Sequence, residues 1–247
     1  MMARPEFTIK DKEDKLFEKM LEAGFFTFAI PVIEFDAPTR SGKRYMIVDG
    51  HHRFAVLCRL DIQNIPIVIY DYKTIKINAF YARSDIAWDH IPSVASVQHN
   101  ECSYEQGLDL VEQSKAHFMV AEKQGDGLRY SVLSPRENAF GLDDLIEAKQ
   151  ALFDSISGRY QLEFIPQDQW NFSNLAPGEI LLIQRPYDHS EVIHRVSRDL
   201  VFPQKSTRHI LPFEANIGIP LQLLRDWPLE WINKLSSHMF ELAQHLN

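Results

Sequence analysis

Cysteine is scarce. Only Cys58 and Cys102 occur, and they form no C-x-x-C pair. That argues against a disulfide framework and against a cysteine-rich zinc site. Long hydrophobic runs are missing too: none approaches the ~20 residues a membrane helix needs, so no membrane partner is expected. The opening MMARPEFTIKDKEDK is charged and has no apolar centre, so no signal peptide is expected and the expected compartment is the cytoplasm. Positive charge is in deficit, with 26 Lys and Arg against 34 Asp and Glu and a formal net charge of −8. Phosphate contacts supply most non-specific affinity for nucleic acid, so nucleic acid is not an expected partner, although a local basic patch stays compatible with the balance. Internal repeats and low-complexity segments are absent as well.

What is present is ordinary globular material: 247 residues, 45% hydrophobic and 24% charged. That suffices for one large domain or two modest ones. Apolar spacing predicts a helix over 11–21 stopped at Gly24, strands over 29–35 and 45–48, a polar turn over 38–44, a helix from about residue 51, and strands over 65–70 and 75–81. This order suggests a compact α/β unit ending near residue 90. Beyond it, Gln124-Gly125-Asp126-Gly127 reads as a hairpin turn between strands over 117–122 and 128–133. Helices are expected over 143–156, stopped at Gly158, over 190–200 and over 228–244, the last with Asp226 as a cap. Strands are expected over 160–165 and 179–184. The predicted class is α/β (α+β), with residues 1–90 as a first domain and 91–247 as a second α+β domain.

The chemistry concentrates in "IVDGHHRF". A strand runs into Asp49 and Gly50, then His51, His52 and Arg53 stand where a helix begins. That end of a helix already carries partial positive charge and unpaired N–H groups. Asp49 as a simple cap with solvated cations is one reading, but it explains one residue of five. A phosphate at the helix start would use the N–H groups, Arg53 and the histidines together, and this anion-site reading is the stronger. His51 and His52 diverge by ~100° on a helix and are poorly placed to grip one ion. Mg²⁺ held by Asp49 and substrate phosphates is compatible. A second cluster lies in "VFPQKSTRHILPF". Lys205, Ser206, Thr207, Arg208 and His209 supply donors that suit a carboxylate or phosphate, and an ordinary exposed basic loop is about equally consistent with composition.

"YMIVDGHHRFAVLCRLDIQNIPIVIYDY" (45–72) resembles the ParB/sulfiredoxin-like superfamily, and within it the free L-serine kinases of archaea and of staphyloferrin B siderophore biosynthesis. ParB proteins in general have G-E-R-R here. Sulfiredoxins have a cysteine in G-G-C-H-R, and His51 stands in its place, so the sulfiredoxin nucleophile is missing. "PQKSTRHILPF" (203–213) resembles the family's late P-K-x-T-R-H-x-L-P-F segment. The resemblance covers roughly 6–81 and 201–224.

It implies transfer of a phosphoryl group from ATP or ADP, with Mg²⁺, to the hydroxyl of free L-serine, giving O-phospho-L-serine. Counting back from Gly24 places Glu6 at the family's catalytic glutamate, with Pro5 where the family has histidine. Glu6 would then accept the hydroxyl proton, and Asp49 would bind or orient Mg²⁺ or assist as a base. Gly50, His51, His52 and Arg53 would hold the nucleotide phosphates. Ser206, Thr207, Arg208 and His209 would hold the amino acid. Phe80 aligns with an aromatic lining the serine pocket, and a strand core residue is its equally weighted alternative. On this resemblance the 49–53 and 203–213 stretches are expected to share one pocket, and a homodimer is compatible. The competing functional reading is a ParB-like nucleotide-binding regulator or DNA-associated module without kinase activity. A kinase acting on threonine or homoserine is a third.

Overall fold

In a computed structural model of the chain, residues 2–3, 10–91, 97–135, 141–157 and 159–226 are described. The chain clusters into two compact units, one running to Thr74 and resuming at Leu211, the other spanning Ile75–Ile210.

The first unit begins with β1 (Met2–Ala3) and α1 (Lys10–Ala23), followed by β2 (Phe25–Phe28), β3 (Ile30–Glu34), β4 (Tyr45–Ile47), α2 (His51–Arg59) and β5 (Ile67–Ile69). The sheet order is β1-β4-β3-β5. β3 and β4 pair antiparallel around the polar 38–44 turn, whereas β5 runs parallel to β3. β2 stands apart and pairs with Asn216–Pro220. Four successive β3 residues, Ile30, Pro31, Val32 and Ile33, are buried, so this strand is covered on both faces rather than alternating. Met20 of α1, Ile47 of β4, and Val56 and Leu57 of α2 join Ile30 and Val32 in one core. That core anchors α2, and with it the turn that begins it.

The second unit contains β6 (Lys76–Asn78), β7 (Phe80–Ser84), β8 (Val97–Glu101), α3 (Tyr104–Glu112), β9 (Phe118–Gln124), β10 (Gly127–Pro135), α4 (Leu142–Ser157), β11 (Leu162–Pro166), β12 (Ile180–Ile183), α5 (His189–Ser197) and β13 (Arg208–Ile210). Six strands form one sheet in the order β11-β7-β12-β9-β10-β8, and all five neighbouring pairs in it are antiparallel. Alternate side chains point to opposite faces. Phe118 and Val120 pack with Leu152, Phe153 and Ile156 of α4. Met119 and Ala121 pack with Val111 of α3 on the other face. Both faces are covered, which is why Phe-Met-Val-Ala reads as a continuous apolar run. α3 approaches closely: a Cβ at Gly107 would lie 2.6 Å from Met119 Sδ and 3.0 Å from Cys102 Sγ. Capping boxes start α3 (Ser103 with Gln106) and α5 (Asp188 with Glu191).

Most expected elements are present, but the single strand expected over 75–81 is two. Ala79 leaves the ladder: its N–H donates to Gln167 Oε1 at 3.3 Å, and its carbonyl accepts from Gln167 N at 3.1 Å. β6 then pairs with β13, and β7 with β11 and β12. These pairings group residues 75–84 with the second unit, whereas the boundary expected near residue 90 had grouped them with the first. Strands 25–28 and 97–101 and helix 104–112 had no counterpart in the sequence reading. The helix expected over 228–244, the stop at Gly158 and the Pro5-Glu6-Phe7 stretch lie outside the described residues. Among the described residues, no helix is long and apolar enough to cross a membrane.

Candidate active site

The turn at 49–53 joins β4 to α2. Gly50 is the N-cap of α2, with φ 80° and ψ 24°, and no side chain caps the helix. Asp49 therefore does not cap it. Instead its Oδ2 receives Nη2 of Arg53 at 2.9 Å across one helical turn, with Asp49 57% exposed and Arg53 23%. Glycine suits position 50 first for its backbone and second for the room it leaves the Arg53 guanidinium. Its φ is left-handed, and a Cβ there would sit 3.0 Å from both Nε and Nη2 of Arg53. Arg53 is also steadied from behind, since its Nη1 donates to the Phe28 carbonyl at 3.5 Å and its guanidinium lies 5.8 Å from the Phe28 ring. His51 and His52 are half-buried in the first turn. The structure thus brings together a helix start without a side-chain cap, a braced guanidinium, two imidazoles and one exposed carboxylate. Phosphate is the ligand class this set can take, because helix N–H groups and a guanidinium both donate to it.

The 203–209 segment belongs to the second unit. Ser206 and Thr207 are buried, and Arg208 and His209 are half-buried on β13, paired in register with Asn78 and Ile77. Lys205 has φ 60°, an unusual backbone for a side-chain-bearing residue. Its Nζ sits 4.6 Å from the centre of the Phe80 ring. Phe80 is half-buried rather than sealed in the core, so it and the segment form one constellation.

Sequence reasoning missed three polar residues here. Gln184 is buried, and its Nε2 donates to the Phe80 carbonyl at 2.7 Å. That bond fixes which end of the amide is which, and it leaves Oε1 as a buried acceptor without a hydrogen-bond partner. Gln167 braces Ala79 as described above. Asp168 forms an ion pair with Arg208 through Oδ1 and Nη1. Gln167-Asp168-Gln169 reads as plain polar loop, so no local signal marked them.

The fold is that of the free serine kinases. A free serine kinase in complex with AMP superposes with a TM-score of 0.70 at 22% identity, covering 90% of each chain. SbnI with a C-terminal truncation, from Staphylococcus aureus, superposes with a TM-score of 0.75 at 18% identity, covering 100% of this chain and 94% of its own. No family model matches the chain. By sequence it is 27% identical over 224 residues to the ADP-dependent L-serine kinase SerK of Thermococcus kodakarensis, covering 85% of this chain and 88% of that protein. It is 24% identical over 220 residues to an ATP-dependent L-serine kinase of Staphylothermus marinus, covering 85% and 82%. The resemblance to L-serine kinases read from the two motifs is borne out by the sequence relatives, and the solved structures bear out the fold.

Proposed function

We propose that this chain is a free L-serine kinase that transfers a phosphoryl group from an adenine nucleotide to the serine hydroxyl, giving O-phospho-L-serine. The observation that carries this is the similarity to L-serine kinases over 85% of the chain. The relatives divide between ADP and ATP, so either is a candidate donor.

In this reaction the serine oxygen forms a bond to the transferred phosphorus as the bond from phosphorus to the bridging oxygen of the donor breaks. Such transfers need positioning and charge stabilisation more than covalent help. The helix start after Gly50 supplies N–H donors to the phosphates, and Arg53, braced by Phe28 and Asp49, supplies charge-assisted ones. His51 and His52 add further contacts in the same turn. Mg²⁺, when bound, neutralises charge on the phosphate oxygens. Asp49 suits it, because Mg²⁺ takes one or two carboxylates and fills its remaining positions with phosphate oxygens and water. Glu6 takes the hydroxyl proton as general base. Ser206, Thr207, Arg208 and His209 hold the amino acid, and Phe80 lines its pocket.

The test is phosphorus NMR of the protein with Mg²⁺, L-serine and either nucleotide, repeated with Glu6→Gln and Asp49→Asn. A new phosphomonoester signal in the wild type that disappears in both variants is the expected result. No signal with either nucleotide would refute the activity, and undiminished turnover by Glu6→Gln would remove Glu6 from the mechanism.

A further inference from the structure

Residues 167–169 form a short turn after β11, and two of its side chains reach different targets. Gln167 binds Ala79 through both its backbone N–H and its Oε1, so it fills the ladder position at the break between β6 and β7. Phe80 is the next residue along. Asp168 binds Arg208, whose register partner Asn78 precedes the same break. One turn therefore holds the strand that carries Phe80 and the guanidinium of the 205–209 segment.

Stability does not account for the ion pair. The Asp168 side chain is 47% exposed and that of Arg208 25%, and pairs this open contribute little to folding. Orientation does account for it. A guanidinium is a rigid plane with five N–H donors, so fixing one of them aims the rest. We infer that Asp168 is a positioning residue for the amino-acid substrate, holding Arg208 so that its remaining N–H groups donate to the α-carboxylate. This rests on the serine kinase reading above, in which Arg208 is a substrate ligand.

Charge alone predicts the opposite sign. A carboxylate beside Arg208 weakens its pull on a second carboxylate, so removing Asp168 would tighten substrate binding if orientation were unimportant. The two effects therefore separate by experiment. Steady-state kinetics on the wild type, Asp168→Ala and Asp168→Asn, varying L-serine and nucleotide separately, should be read beside the melting temperature. Asp168→Ala is expected to raise KM for serine about tenfold, with KM for nucleotide and the melting temperature unchanged. Asp168→Asn keeps an oxygen that accepts from the guanidinium and should recover most of the loss. An unchanged or lowered KM for serine in Asp168→Ala overturns the inference. So does a rise in both KM values together with a lowered melting temperature, which would mark a merely structural role. A wild type that neither binds nor phosphorylates serine would be a separate result, overturning the kinase reading and this inference with it.

Discussion

Lys149 offers a stability prediction whose size follows from its surroundings. It lies on α4, 2% exposed, with Nζ donating to the Tyr187 hydroxyl at 2.9 Å. The rings of Tyr187 and Phe118 lie 4.6 and 5.5 Å away. Burial is the main force pulling its pKa down to about 7, repulsion from Arg185 adds to it, and Glu191 opposes it. An unfolded lysine titrates near 10.4. Between these values the unfolded chain holds a proton that the folded chain has given up, so stability rises with pH across the window and is lowest below it. Each pH unit is worth at most about 1.4 kcal/mol, so roughly three units set a ceiling of about 4 kcal/mol. Lys149→Met keeps the length and removes the charge, while giving up a hydrogen bond worth about 1 kcal/mol. The variant should therefore be more stable than the wild type by roughly 1–3 kcal/mol near pH 6–7, with the gap closing toward pH 10. Urea denaturation of both proteins from pH 6 to 10 measures this. A stability difference that stays constant with pH would refute the argument, because only a group that titrates between the two pKa values can make it change.

Three variants test His117 and the turn at Gly50. Burial first, and Lys149 second, depress His117 to about 4, well below its usual range. The stability it contributes is present above about pH 6.5 and is lost as pH falls through that value toward 4. His117→Gln should flatten that acid limb in melting-temperature profiles, and Lys149→Met should move the His117 titration upward by NMR; an unmoved titration would show that the two groups do not sense each other. At the turn, Gly50→Ala forces a left-handed backbone on a side chain, at roughly 1–2 kcal/mol, and pushes its Cβ against the Arg53 guanidinium. KM for nucleotide should rise about tenfold or more while KM for serine holds. An unchanged nucleotide KM would mean that the turn does not meet the phosphates.

The site residues differ in how far a sequence can reveal them, and the difference is one of chain distance. Asp49 to Arg53 are legible because strand, turn and helix are contiguous there. The left-handed glycine, the cations after it and the i,i+4 ion pair all fall within one helical turn, so composition at that spot already states the conflict that a phosphate would resolve. The 205–209 segment is legible only as a set of donors. Its partner strand, β6, lies more than a hundred positions earlier, and nothing local says that Lys205 meets Phe80. The break at Ala79 is invisible for the same reason, since its bonding partner, Gln167, is 88 residues away. Lys149 shows the limit most sharply. In "DDLIEAKQALFDSISG" its spacing puts it on the same helical face as Leu145, Ile146, Leu152, Phe153 and Ile156, and what the stretch does not show is the partner that lets an ammonium lie there. The lysine is buried because α4 packs on a sheet already covered on its other face, and because Tyr187 on a later segment supplies a hydroxyl at the depth the ammonium reaches. Groups that touch ligands through a single turn can be read from the chain, whereas groups that orient those ligands, such as Asp168, become visible only once distant strands have paired. For this protein, substitutions outside the two motifs should therefore be chosen by strand partner rather than by chain neighbour, beginning with the 167–169 turn.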